Sequence, residues 1–226
     1  MPARNSRKQY LENGYYHIYN RGVEKRLIFL DEQDYSVFLS YLKEYLLPKN
    51  EKELYERLSD PEISYKEKDK IIKLLRMNNF TDEIIFISYA LMPNHFHFAL
   101  KQKNSNSIDK FMNSLGTRYT MYFNKKYKRV GSLYQNVYKA VLIETIEQLL
   151  HLTRYIHKQA LARPGRVLQG QPSSYSEFLG LRKTKWIYPE EILSFFSKKQ
   201  STLSYKSFVE HEDNTDVIGN LIIEDD

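Results

Sequence analysis

The sequence LMPNHFHFAL at residues 91–100 follows the apolar run EIIFISYA at residues 83–90. From residue 95 onward, histidine and alanine alternate with phenylalanine and leucine, and this period of two is typical of a β-strand. The Met-Pro-Asn step predicts a short turn between two strands, at about 83–91 and 94–102. Side chains two apart on a strand point to the same face, so His95 and His97 stand side by side.

This histidine pair is a candidate metal site. Two neutral imidazoles can bind a divalent ion, but two protein ligands alone do not usually hold one, so a third ligand is needed. The chain contains no cysteine, which leaves histidine, carboxylate or amide groups for that position. The alternative is that both histidines are packed or solvent-facing residues without a ligand role.

The composition indicates one substantial core and a polyanionic partner. The chain has 226 residues, 42% of them hydrophobic, with a net charge of +6 and 19 tyrosines whose rings suit stacking on bases. Nucleic acid is therefore the leading candidate partner. There is no apolar run of about 18 residues and no apolar segment at the start. We accordingly expect no membrane span and a cytoplasmic protein.

The order of predicted elements is strand, helix, strand, strand, helix, strand. Besides the pair at 83–102, these are a tyrosine-rich strand at 14–22, a helix after the N-cap Asp31, a helix at 107–124 capped by Ser107, and a turn and strand within 131–143. This order predicts an α+β, ferredoxin-like fold, in which an antiparallel sheet carries helices on one face. Residues 49–80, dense in lysine and glutamate, are predicted to form a charged helical insertion.

A last core helix is predicted from about 145 to 162 and ends at Pro164-Gly165. His151, Tyr155 and Gln159 are four apart and share one face of it. A tyrosine hydroxyl one turn from an amide oxygen offers a nucleophile and an oxygen-type metal ligand on one rigid element. Alone the triplet is a weak signal, because tyrosine and glutamine on a helix face are more often surface residues.

Basic residues interleaved with tyrosines dominate residues 101–140, where Asp109 is the one acid. This pattern is typical of a groove that follows a phosphate backbone while rings stack on bases, although a solvated face is the alternative. The candidate DNA-binding residues, including three near the first strand, are Arg21, Lys25, Arg26, Arg118, Lys125, Lys126, Lys128, Arg129 and Lys139.

Four motifs together resemble the single-tyrosine HUH transposases, meaning the insertion-sequence-200-like superfamily and within it the REP-associated tyrosine transposase (RAYT) branch. They are YHIYNRG at residues 16–22, LMPNHFH at 91–97, GSLYQ at 131–135 and RYIH at 154–157. The resemblance implies that His95 and His97 bind a divalent metal, Mg²⁺ or Mn²⁺. It also implies that Tyr155 is the nucleophile and that Gln159 completes the metal site.

The motif after the tyrosine departs from the branch. RAYT sequences usually read Tyr-Ile-X-X-Asn-Pro, whereas this chain has glutamine at the fifth position, Gln159, which resembles the insertion-sequence-200 type. Glutamine still presents an amide oxygen. His157 lies on a different helix face from Tyr155 and is predicted to be structural or to contact phosphate.

The resemblance implies a metal-dependent enzyme that cleaves and rejoins single-stranded, hairpin-bearing DNA through a 5′-phosphotyrosine intermediate. It assigns residues 1–180 to the transposase domain and 181–226 to a small helical appendage with an acidic tail. The alternatives are a domesticated hairpin DNA- or RNA-binding protein without strand transfer and an unrelated ferredoxin-like structural domain. Relatives include homodimers and monomers, so the sequence leaves the oligomeric state open.

Overall fold

The computed structural model describes residues 10–161 and 170–211. Its centre is a four-stranded antiparallel sheet in the order β2-β3-β1-β4, the strand order of a ferredoxin-like fold. The strands are β1 (Tyr15–Arg21), β2 (Ile84–Met92), β3 (His95–Gln102) and β4 (Lys139–Ile143). The predicted fold class is confirmed, and the last strand is shorter than the segment 131–143 from which it was predicted.

Eight helices accompany the sheet in the described residues. They are α1 (Glu32–Leu46), α2 (Glu51–Leu58), α3 (Tyr65–Arg76), α4 (Ser107–Lys126), α5 (Ile146–Ala160), α6 (Tyr175–Phe178), α7 (Glu190–Leu193) and α8 (Tyr205–Glu210). No helix in these two ranges combines the length and apolarity needed to cross a membrane.

One face of the sheet carries the main apolar core. Tyr16 and Ile18 of β1 and Phe96 and Phe98 of β3 alternate onto this face and pack with apolar residues of α1 and α4. Fully burying a side chain of this size contributes about 1.5–3 kcal/mol, so this layer supplies most of the driving force for folding. The pairing of α1 and α4 on one face is the predicted ferredoxin-like arrangement.

The opposite face carries α5. Ile87 and Ala90 of β2 and Ala99 of β3 pack with Leu152 and Ile156 of α5 in a second buried cluster. The small alanines let the helix lie close to the strands. The last core helix therefore covers the face on which His95 and His97 project, which is the feature that builds the site.

The segment 49–80 contains the two helices α2 and α3. Each begins with a side-chain N-cap, Asn50 and Ser64, and Ile71 is the one fully buried side chain of the two helices. Most of their surface is exposed, as expected for a charged insertion.

The described part of the appendage packs on α5. Ile192, Tyr205 and Val209 are buried in the same cluster as Leu152 and Ile156. The predicted acidic tail at 212–226 and the Pro164-Gly165 helix stop lie outside the described residues.

The helix caps test the sequence rules directly. Asp31 caps α1 as predicted, because its side chain accepts from the Asp34 N–H, and Thr145 forms a capping box with Gln148 at the start of α5. The prediction for α4 is wrong by one residue. Asn106 is the N-cap, while the Ser107 hydroxyl lies 2.6 Å from Glu83 Oε2 and is used for a tertiary hydrogen bond.

Candidate active site

The histidine pair lies on β3, immediately after the turn at Pro93-Asn94. The ring centroids of His95 and His97 are 5.0 Å apart with planes at 86°. In the strand register His95 lies opposite Arg21 and His97 opposite Tyr19 of β1. The structure therefore places the two imidazoles side by side, as the period of two predicts.

Tyr155 reaches the same place from α5. Its ring centroid lies 5.4 Å from that of His97 with planes at 84°, and the side chain is half-buried. The proximity follows from the packing of α5 across β2 and β3. One chain thus supplies both the histidines and the tyrosine.

Gln159 lies one turn beyond Tyr155 on α5 and is half-buried. None of the hydrogen bonds of the described residues joins the Gln159 amide to either histidine. Gln159 is related to the pair through the helix that it shares with Tyr155. Within residues 10–161 and 170–211, no group of three His, Cys, Asp or Glu side chains is arranged to hold a metal ion. The predicted ligand set contains only two residues of these types, His95 and His97, because its third ligand is the amide of Gln159.

The protonation of the histidines suits metal binding. Burial, with a smaller effect of Arg21, lowers the pKa of His95 to about 4, and burial together with His17, His95 and Arg21 holds the pKa of His97 well below its usual range. Both rings are therefore neutral at pH 7. A neutral imidazole has one nitrogen with a free lone pair, which is the form that ligates metals.

His95 also presents a defined nitrogen. Its Nδ1 lies 2.6 Å from Asn94 Oδ1, while Asn94 Nδ2 donates to the carbonyl of Lys25 at 3.3 Å. An amide oxygen only accepts, so Nδ1 of His95 carries the proton and Nε2 keeps the lone pair. With an amide oxygen from Gln159, these nitrogens would form a mixed nitrogen and oxygen donor set for a divalent ion.

His17 was missed as a site residue by sequence reasoning. It lies on β1, is 1% exposed, and its Nε2 is 2.9 Å from His97 Nδ1. Its ring also contacts that of Tyr155, with centroids 6.4 Å apart. The available signal was the position of His17 between Tyr16 and Ile18, which alternate onto the core face and so leave the histidine on the face of the site.

Three basic candidates lie near the histidines. Arg21 ends β1, and Lys25 and Arg26 follow in a 3₁₀ turn at Val23–Lys25 and its C-cap. This turn is held by Pro93, whose carbonyl accepts from Ile28 N at 2.8 Å and Phe29 N at 3.0 Å. Backbone hydrogen bonds from Val23 N to Leu133 O and from Gln135 N to Arg21 O join the loop at 131–135 to the same end of the sheet.

The other basic candidates divide into two groups. Arg118 pairs with Glu44 at 2.6 Å and stacks on the Tyr41 ring, and Lys126 pairs with Asp31 and Asp34 at 2.8 and 2.7 Å. The charges of Arg118 and Lys126 are thus offset by carboxylates. The second group contains Lys125 and Lys128, which are exposed, Arg129, and Lys139, whose Nζ lies over the Tyr19 ring.

Arg26 and Arg129 lie close enough to affect one another. Burial and the positive charge of Arg26 lower the pKa of Arg129. Arg129 itself is fixed by hydrogen bonds to Asn124 Oδ1 and Ser132 O. A pair of adjacent positive charges is a favourable site for phosphate.

The sequence of the segment that carries this site matches a known protein family. Residues 60–159 match the family described as "Transposase IS200 like". The expected resemblance to the IS200-like transposases is confirmed. The matched IS200-like segment contains β2, β3, α4 and β4 and ends at Gln159, so it includes both predicted metal histidines and Tyr155. β1, with His17, lies outside it.

One solved structure supports the fold at low sequence identity. A REP-associated tyrosine transposase bound to a REP hairpin aligns with a TM-score of 0.50 and 9% identity, over 82% of this chain and 98% of that chain. A putative transposase from Deinococcus radiodurans R1 aligns over 72% of this chain and 100% of its own length, with 14% identity and a TM-score of 0.33. No curated protein matches the chain.

Proposed function

We propose that this protein is a metal-dependent transposase and endonuclease that cleaves and rejoins single-stranded, hairpin-bearing DNA through a phosphotyrosine intermediate. The observation that carries the proposal is the placement of the Tyr155 ring against His97 within an IS200-like segment. A tyrosine beside neutral histidines, at the edge of a basic surface, suits phosphoryl transfer better than any hydrolytic chemistry without a covalent step.

Tyr155 is the nucleophile in this proposal. Its phenolic oxygen attacks the scissile phosphorus and loses its proton, a phosphotyrosine bond forms at the 5′ side, and the departing oxygen takes up a proton to become a free 3′-OH. The 3′-OH of a second strand then attacks the same phosphorus, releases Tyr155 and rejoins DNA. One phosphodiester is exchanged for another at each step, so no ATP is required.

His95 Nε2, His97 and the Gln159 amide would hold the metal. A bound Mg²⁺ or Mn²⁺ would polarise the scissile phosphate and offset the charge that develops on its oxygens. The Tyr155 ring packs against His97 from a helix that lies on the sheet, and this packing would position its hydroxyl for attack. Because both parts come from one chain, the proposed active unit is complete in a monomer, and a homodimer stays a prediction.

The proposed substrate contacts lie at the same end of the sheet. Arg21, Lys25, Arg26 and Arg129 would neutralise phosphates next to the site, and Lys125, Lys128 and Lys139 would extend this surface. A hairpin is the expected substrate because the structurally similar REP-associated transposase is bound to a REP hairpin.

The test uses single-stranded oligonucleotides that carry imperfect palindromes from the DNA flanking the gene. Incubation with Mn²⁺ or Mg²⁺ is expected to give a denaturant-resistant protein–DNA adduct that chelator abolishes. Tyr155→Phe should bind the hairpin but form no adduct. Tyr65→Phe, at an 85% exposed position on α3, is the matched control and should form it normally.

Two results would contradict the proposal. An adduct that persists in Tyr155→Phe would remove the assigned nucleophile. Tight hairpin binding with no adduct under either metal would instead establish the domesticated binder.

A further inference from the structure

Two histidines share a buried hydrogen bond behind the proposed metal site. His17 on β1 is 1% exposed and His97 on β3 is 6% exposed, and their rings stack with centroids 5.1 Å apart. The bond joins His17 Nε2 to His97 Nδ1 at 2.9 Å. Tyr19 lies beside both rings, with its centroid 4.8 Å from that of His17 and 5.8 Å from that of His97, so the three rings form one packed cluster.

Only one of the two proton arrangements in this bond permits His97 to bind a metal through its other nitrogen. If His17 Nε2 donates, the proton of neutral His97 sits on Nε2 and blocks that atom. If His97 Nδ1 donates, His17 Nε2 accepts and His97 Nε2 keeps its lone pair. His17 therefore decides which nitrogen of His97 is available.

We propose that His17 is a positioning residue that accepts the Nδ1 proton of His97 and so holds His97 Nε2 toward the metal. The inference rests on the metal site of the proposed function and adds a residue on β1 to it. Asn94 does the same for His95 through its Oδ1, so each of the two ligands has its own acceptor on Nδ1. Such partners fix the tautomer and the ring orientation of metal-binding histidines.

His17→Phe is the decisive variant. Phenylalanine keeps a planar ring in contact with Tyr19 and His97 but removes the acceptor. We expect Mn²⁺ affinity, measured without DNA by electron paramagnetic resonance, to fall by about 10- to 100-fold. His17→Gln offers an amide oxygen where Nε2 stood, so it should recover most of the affinity. Thermal melting of each variant shows that the protein is folded.

The tautomer provides a readout that a packing role would not change. Nitrogen-15 spectra of the histidine side chains of the metal-free protein should show the proton on Nδ1 of His97 in the wild type and in His17→Gln. In His17→Phe, Nδ1 has lost its acceptor, and a share of the protein should carry the proton on Nε2.

His151→Phe is the matched control, because it makes the same change on α5 at a ring that packs on Phe208. It should leave Mn²⁺ affinity unchanged. The inference is overturned if His17→Phe binds Mn²⁺ like the wild type, if His97 of the wild type carries its proton on Nε2, or if the wild type binds no Mn²⁺. If the wild type forms no DNA adduct while His17→Phe still loses Mn²⁺ affinity, the strand-transfer proposal fails and this inference stands.

Discussion

At the residue scale, the turn at Gly22 holds the start of the basic surface next to β3. Gly22 N donates to Asn94 O at 2.9 Å, and a Cβ on Gly22 would lie 2.3 Å from the carbonyl oxygen of Arg26. That contact is with backbone, which cannot move aside as a flexible side chain would. Glycine is therefore required here for close approach and not for a left-handed conformation, since its φ is −60°.

Gly22→Ala is expected to lower the free energy of unfolding by about 1–3 kcal/mol, because the added methyl group forces the turn away from Asn94. Urea denaturation measures the change. Gly116→Ala is the control, since its Cβ would lie 3.9 Å from Tyr134 Cε2 inside α4 and alanine favours a helix by roughly 0.5–1 kcal/mol. Equal destabilisation by the two variants would contradict the close-contact argument.

The sequence predicts candidate site residues but not the contacts that hold them. His95 and His97 follow from a period of two, and Tyr155 and Gln159 from a period of four, because both patterns are local. His17 could not be assigned, since its bond to His97 joins residues 80 apart in sequence and depends on strand pairing. For the same reason, the carboxylate partners of Arg118 and Lys126 were not predictable from a count of basic residues.

At the element scale, Asp34 ties the start of α1 to the end of α4. Its carboxylate is fully buried and accepts from Lys126 Nζ at 2.7 Å, Tyr122 OH at 2.9 Å and Tyr127 OH at 2.7 Å. Burial opposes the charge, but hydrogen bonds from Lys126, the Leu30 N–H and the two tyrosines outweigh it and lower the pKa of Asp34. The ionised carboxylate therefore stabilises the contact between the two helices.

Asp34→Asn is expected to lower the free energy of unfolding at pH 7 by about 3 kcal/mol, as for a buried ion pair that loses one partner. Because the pKa of Asp34 is depressed, the wild type loses this advantage as the pH falls below about 4, and the two proteins should converge there. Chemical denaturation at several pH values measures both effects.

The exposed pair on α3 supplies the control for Asp34. Lys73 Nζ lies 2.5 Å from Asp69 Oδ2, but the side chains of Asp69 and Lys73 are 47% and 74% exposed. Asp69→Asn should change stability by less than about 1 kcal/mol. A loss as large as that of Asp34→Asn would show that burial is not what gives the Asp34 contact its strength.

His157 links α5 to the appendage by a hydrogen bond. It is fully buried, with Nδ1 2.7 Å from Tyr205 OH and Nε2 2.8 Å from Ser174 Oγ. Ser174 Oγ in turn accepts from Tyr89 N of β2 at 2.9 Å. Of the two roles predicted for His157, structural or phosphate-contacting, these buried contacts support the structural one. The chain of bonds joins the helix of Tyr155 to the sheet on one side and to α8 on the other.

The pH dependence of stability tests this role. Burial lowers the pKa of His157 to about 3, whereas in the unfolded chain it is near 6.5, so unfolding takes up a proton between these values. The free energy of unfolding should then fall by about 1.4 kcal/mol per pH unit per such proton as the pH drops below 6.5.

His157→Gln should reduce this slope between pH 6 and 4.5 by about one proton, leaving the contributions of His95 and His97. Denaturant titrations across this range measure the slope. An unchanged slope would mean that His157 is not held neutral in the folded protein. Tyr205→Phe keeps the histidine, so it should lower stability by about 1 kcal/mol with little effect on the slope.

The elements themselves were largely predictable, because their apolar periods and turn residues are local. The exceptions depended on tertiary contacts. Ser107 was chosen as the α4 cap from its residue type, but its hydroxyl bonds Glu83. The packing of Tyr205 against α5 has no signal in sequence, since it depends on how the chain returns after residue 170.

At the scale of the whole molecule, basic residues from two segments lie at the end of the sheet that carries the site. Arg26 has the carboxylate of Glu24 3.7 Å away, but that glutamate is 81% exposed. Arg26 and Arg129 come from segments far apart in sequence and meet there because the turn after β1 and the loop after α4 are hydrogen-bonded to each other. The net charge of +6 does not reveal this, because Arg118 and Lys126 are offset by nearby acids. The position of the charge matters more than its sum.

Arg26→Ala combined with Arg129→Ala should weaken hairpin binding. The dependence of log affinity on log salt concentration should also become less steep. The magnitude of this slope should fall by about 1 to 2, because each phosphate contact contributes about 0.7–0.9 to it. Fluorescence anisotropy at several salt concentrations measures both. Lys52→Ala with Lys66→Ala removes the same charge from exposed positions of the insertion and should have little effect. Equal losses in the two double variants would show that only net charge matters.

The central claim is that Tyr155 forms the covalent bond to DNA. With 19 tyrosines in the chain, loss of activity in one variant is weaker evidence than the bond itself. The most direct measurement is therefore to trap the adduct with a hairpin oligonucleotide and Mn²⁺, digest it, and map the nucleotide-bearing peptide by mass spectrometry. We expect a phosphodiester on Tyr155. A nucleotide on any other residue, or no linked peptide from a reaction that cleaves the DNA, would contradict it.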